Sequence, residues 1–71
     1  MKIQASTDFG HALRTRRREL GLTQEEISSV IGVNRRVLGE LERGKGTVRL
    51  QIAIEAARAL GLDIELVPRR R

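Results

Sequence analysis

LTQEEISSVIGVNRRVLGELERGK, residues 22–45, reads as helix, tight turn, helix. Thr23 followed three residues later by Glu26 is a reciprocal capping arrangement, in which the hydroxyl accepts a backbone N–H while the carboxylate reaches back. A short helix therefore begins near Gln24. Ile27 and Ile31 lie four apart on one face, and Gly32 ends the helix by tolerating the left-handed conformation that side chains resist. Val33 plugs the turn and Asn34 is a good N-cap. Leu38 and Leu41 then repeat at helical spacing until Gly44 ends the second helix.

The residues outside the Leu38/Leu41 stripe are Asn34, Arg35, Arg36, Gly39, Glu40 and Arg43, most of them near the start of that helix. In a helix-turn-helix this is the end that reaches base edges. An arginine fork bonds two acceptors of a guanine edge at once, so Arg35 and Arg36 suit major-groove readout. Glu40, four residues after Arg36, either accepts from a cytosine amino group or holds the Arg36 fork in position. Gly39 presents no side chain and permits close approach of the backbone. The competing reading is an ordinary solvated helix face.

Working outward, residues 1–5 are too short to judge, and Lys2, Ile3 and Gln4 either pair as a brief strand or stay loose. Ser6, Thr7 or Asp8 caps a first helix with Phe9, Leu13 and Leu20 inward and Ala12 and Arg17 beside them. The run Arg14, Arg16, Arg17, Arg18 points several ways at helical spacing and reads as solvated surface. Beyond the motif, Lys45-Gly46-Thr47 is a connector whose lysine and amides suit a phosphate. Leu50, Ala53, Ile54, Ala57 and Leu60 form the inward stripe of a further helix ended by Gly61. Ile52, Ala56 and Ala59 make a second, weaker stripe that a monomer leaves wet, which points to a partner. Leu62, Ile64 and Leu66 alternate with acids before Pro68, the pattern of a strand over 62–67. No second strong strand exists to pair with it. The simplest solution is the same strand of a second copy, antiparallel across a twofold axis. Residues 68–71 are a short basic tail.

Seventy-one residues with 14 Lys and Arg against 9 Asp and Glu give a net charge of +5, and arginine far outnumbers Lys2 and Lys45. One small domain, 1–71, is expected, basic enough to suit a polyanion and small enough that assembly helps it bury apolar surface. There is no cysteine, a single His11 and one aromatic residue, Phe9. That composition offers no thiolate metal site, no catalytic constellation and no stacking platform for single strands, so neither an enzyme nor a cofactor is expected. No apolar run approaches ~20 residues and no charged-then-apolar signal leads the chain, so a soluble cytoplasmic protein at the nucleoid, with no membrane partner, is the expectation.

The 22–45 stretch, with its Arg14/Arg17/Leu20-Gly21-Leu22 lead-in and its Leu41-Glu42-Arg43-Gly44 close, resembles the helix-turn-helix of Xre/Cro-type phage-repressor regulators. The resemblance implies a mainly α fold, a lambda-repressor-like domain of four to five helices, here with the C-terminal strand pairing across a homodimer. It implies that Gln24, Asn34, Arg43 and Lys45 hold phosphates while Arg35, Arg36, Gly39 and Glu40 face bases. It also implies that Arg17 and Glu42 form a buried ion pair. Ser28 stands where the family usually has alanine, and Val30 is apolar at an outward position. The ending GKGTVRLQIAIEAARALGLDIELV is similar to that of HipB-type antitoxins. This implies a dimer joined through Ile52, Ala56, Leu62, Ile64 and Leu66, a palindromic double-stranded operator, and a HipA-like kinase toxin as partner. An antitoxin that represses its own operon is the reading this favours. A stand-alone repressor without a toxin, or a protein-interaction module, are the alternatives.

Overall fold

The computed structural model describes residues 2–70. It has four helices, α1 (Ser6–Glu19), α2 (Gln24–Ile31), α3 (Arg35–Glu42) and α4 (Leu50–Ala59). Neither a fifth helix nor a strand occurs among the described residues.

Local chemistry sets the ends of the central pair. Glu26 N–H donates to Thr23 Oγ1 at 3.1 Å and Thr23 N–H donates to Glu26 Oε1 at 2.8 Å, closing the capping box that starts α2. The Thr23 backbone bond, then its hydroxyl, hold the Glu26 carboxyl below its ordinary pKa. Gly32 ends α2 at φ 75°, and the Asn34 side chain, through Oδ1, accepts from Val37 N–H at 3.1 Å to start α3. α1 departs from expectation. Its N-cap is Ala5, and Asp8 serves from inside the first turn, Oδ2 accepting from the N–H groups of Gln4 and Ala5. Ser6 instead donates to Gly44 O at 2.6 Å, tying the start of α1 to the end of α3.

α2 packs on α3 and α4, and α1 on α3. The core joins Leu13 of α1, Ile27 of α2, Leu38 and Leu41 of α3, and Ala53, Ala56, Ala57 and Leu60 of α4. Gly10 is buried where α1 crosses the end of α3, so close that an added Cβ would stand 2.5 Å from Glu42 O. Ser28 is also buried, its hydroxyl satisfied by Glu25 O at 3.0 Å. Leu20, expected inward, is exposed because it caps the end of α1 beyond the core, and the half-buried Leu22 packs there instead.

Two corrections concern α4. Ala56, assigned to a wet partner-facing stripe, is fully buried, and Leu50, assigned to the core, is 73 % exposed. At 100° per residue the buried face is centred between Leu60 and Ala53. Ala56 thus falls inside it and Ile54 on its flank, while Leu50 is the first residue of α4, at the helix's exposed end. After Gly61, Leu62 still packs against the core, but Ile64, Leu66 and Val67 are exposed. The expected strand has no ladder within one chain, since a single copy offers it no edge.

Candidate nucleic-acid interface

The first turn of α3 leaves the body of the protein with Arg35 and Arg36 exposed, just after the Asn34 cap. Leu38, Leu41 and Glu42 face inward, which places Arg36, Glu40 and Arg43 on the opposite side. Glu40 Oε2 accepts from Lys45 Nζ at 3.2 Å and lies 3.7 Å from Arg36 Nε. Its carboxylate therefore bridges two exposed cations, an arrangement worth little stability but one that orients both. Gly39 is corrected. It is buried, with Arg43 Nη1 3.3 Å and the Gln24 amide 3.8 Å from where its Cβ would be. About 100° around from Leu38, it turns toward α2 rather than outward.

Behind that surface lies the ion pair. Arg17 Nε donates to Glu42 Oε2 at 2.7 Å and Nη2 to Oε1 at 3.0 Å, while Nη1 donates to Leu22 O at 2.8 Å. Both side chains are nearly covered, at 11 % and 3 % exposure. Burial alone would raise the Glu42 carboxyl, but hydrogen bonds from Arg17 and Gln24, then the charges of Arg17 and Arg14, carry it below its ordinary pKa. The Glu42 bond in turn raises Arg17 against the cost of burial. Gln24, expected on a phosphate, is drawn inward, its Nε2 donating to Glu42 Oε1 at 3.1 Å.

A groove of ~750 Å³ opens between the last turns of α1, the first turn of α2 and the flank of α3. Arg35 and Arg43 line it from α3, as do Arg14 and Arg18 from α1. Reading the sequence missed that second pair. Only Arg16 of the basic run leaves this face, its Nε donating to Leu60 O at 3.0 Å. The signal was the i, i+3, i+4 spacing of Arg14, Arg17 and Arg18, which puts all three on one side of α1. What it lacked was the direction of that side, and the Arg17–Glu42 bond supplies it.

Of the expected dimer residues, Ile52 is half-buried, Ala56 buried, Leu62 half-buried against the core, and Ile64 and Leu66 exposed. His11 is exposed, and no group of acids and His able to hold a metal ion occurs among the described residues. No helix among them is long and apolar enough to cross a membrane.

A family model described as helix-turn-helix matches residues 13–67. An HTH-type transcriptional regulator of Methanothermobacter thermautotrophicus is 47 % identical over 51 residues, covering 72 % of this chain and 74 % of its own length. One from Sinorhizobium fredii is 32 % identical over 66 residues, covering 93 % and 87 %. Among solved structures, a chain of a HipA-HipB-O2-O3 complex superposes with a TM-score of 0.90 at 23 % identity, covering 99 % of each chain. A chain of a HipB-O4 20mer complex gives 0.89 at the same identity and coverage. At that identity the likeness is one of fold.

Proposed function

The chain belongs to the helix-turn-helix family of DNA-binding transcriptional regulators, and from that premise we propose that it is a dimeric repressor reading a palindromic operator with the first turn of α3. The observation that carries this is the exposed Arg35–Arg36 pair, held at a capped helix start beside a groove rimmed by arginine. Arg35 and Arg36 bond guanine edges, and Glu40 meets a cytosine amino group once Lys45 moves to a phosphate. Asn34, Arg43, Lys45 and the remaining amide hydrogen of Gln24 hold the backbone. Gly39 serves from beneath by leaving room for Gln24 and Arg43. Leu62, Ile64 and Leu66 join two copies as an antiparallel ribbon, with Ile52 beside it.

Two half-sites about one helical turn apart, ~34 Å, follow from that symmetry. Selecting bound fragments from random duplexes and footprinting the winner tests it. A symmetric footprint with that spacing is expected, and an asymmetric one overturns the dimeric reading.

The partner in this reading is a HipA-like kinase toxin, which makes the protein an antitoxin repressing its own operon in the cytoplasm. The fold likeness to chains of HipB complexes supports it. A stand-alone repressor is the second reading, and the sequence relatives, HTH-type transcriptional regulators, fit it equally. A pull-down from the native host decides between them. Recovery of a kinase encoded beside the gene is expected, and its absence leaves the stand-alone repressor.

A further inference from the structure

Arg14 and Arg18 stand one turn apart near the end of α1, on a helix with no part in reading bases under the proposed function. Both are exposed, and neither makes a hydrogen bond or ion pair with the described residues. Arg17 between them is different. Its guanidinium is spent on Glu42 and Leu22 O, so it fixes the α1 face against α3 without offering a free charge. The groove thus has two walls of uncommitted guanidinium groups, Arg14 and Arg18 on one side and Arg35 and Arg43 on the other. Glu25 is its one acid outside the ion pair. With Arg35 turned to the bases, the three forks that remain across the open channel, against a single carboxylate, select a ligand with anionic oxygens spaced along its length.

We infer that Arg14 and Arg18 are phosphate-binding residues, a second wall that grips the DNA strand passing the groove while α3 enters the major groove. The inference rests on the proposed function, because the same channel is lined by the helix that meets DNA there. The ligand is the sugar-phosphate backbone, and the contact is blind to sequence.

The test is the salt dependence of binding to a short labelled duplex of random sequence. Each phosphate contact contributes about 0.9 to the slope of log affinity against log salt, so Arg14→Gln/Arg18→Gln lowers the slope by about 1.8 per protomer. Between ~50 and ~200 mM salt the wild type then loses about twelvefold more affinity per protomer than the variant. Arg14→Lys/Arg18→Lys restores most of the slope, and Arg58→Gln, exposed on α4 away from the groove, leaves it unchanged. The melting temperature stays close to that of the wild type, since neither side chain makes a hydrogen bond or ion pair and Arg14 acts on Glu42 through its charge alone, as the last of the causes. A variant that folds and keeps the full slope overturns the inference alone. A wild type that binds no duplex overturns the reading beneath it as well.

Discussion

Glu42 is the residue on which the interface turns, because its carboxylate is buried and three donors from two helices converge on it. Such a pair contributes little net stability when intact, but removing one partner strands the other charge. Glu42→Gln should therefore cost ~3–5 kcal/mol, seen as a lower urea midpoint, and Arg17→Met/Glu42→Leu should recover most of it. The pH dependence follows from the same carboxyl. Its folded pKa lies below the unfolded value of 4.5, so its contribution is complete above that value and is lost as pH falls through the lower, folded one. An acid titration of stability should show that phase in wild type and lack it in Glu42→Gln. Gly10 is the second residue of this kind. Alanine there gains up to about 1 kcal/mol in helix propensity, yet its Cβ would sit 2.5 Å from Glu42 O and force α1 off α3. Overpacking of that sort costs ~1–3 kcal/mol, so Gly10→Ala should melt lower despite the better helix former. A higher melting temperature would mean that α1 can shift freely.

At the scale of elements, α3 divides its polar residues by what they touch, and the division predicts two kinds of binding loss. Arg35→Ala or Arg36→Ala should cost ~1–3 kcal/mol on the selected operator and relax preference at one base position per half-site. Lys45→Ala should weaken operator and random duplex alike and lower the salt slope by about one per half-site. Equal losses on both DNAs for the arginine variants would contradict base reading. These elements were legible beforehand because their signals are local: Thr23 with Glu26, Gly32, Asn34 and Gly44 act within a few residues of the turns they make. What was not legible depends on the angle between helices. Arg14 and Arg18 face the groove only because α1 crosses the end of α3 at Gly10, and no periodicity within α1 encodes that crossing. Ala56 was misplaced for a related reason. Small residues on a helix flank are buried or wet according to how closely the rest of the fold approaches, and here, with α4 packed on α2, Ala56 is covered. Gln24 turned inward because Glu42, distant in sequence, offered an acceptor.

For the whole molecule the question is what completes a chain this small. Ile64, Leu66 and Val67 are 47 %, 95 % and 79 % exposed, while Leu62 just before them is anchored on the core. On the proposed dimeric reading, this alternating segment, held at one end and bare at the other, pairs outside its own chain, where a second copy supplies an identical antiparallel edge. Such a ribbon would also set the distance between two α3 helices, so oligomeric state and operator affinity are coupled. Proline at Ile64 removes a backbone donor from the centre of that ribbon while leaving the four helices untouched. Ile64→Pro should therefore sediment as a monomer with wild-type helical content. It should also bind the full operator ~10²–10⁴-fold more weakly, because a second half-site then no longer benefits from the first. A dimer that survives this change would place the interface elsewhere, with the exposed Leu50 at the start of α4 the next surface to mutate. A monomer that kept full operator affinity would instead separate the two properties and remove the reason for a palindrome.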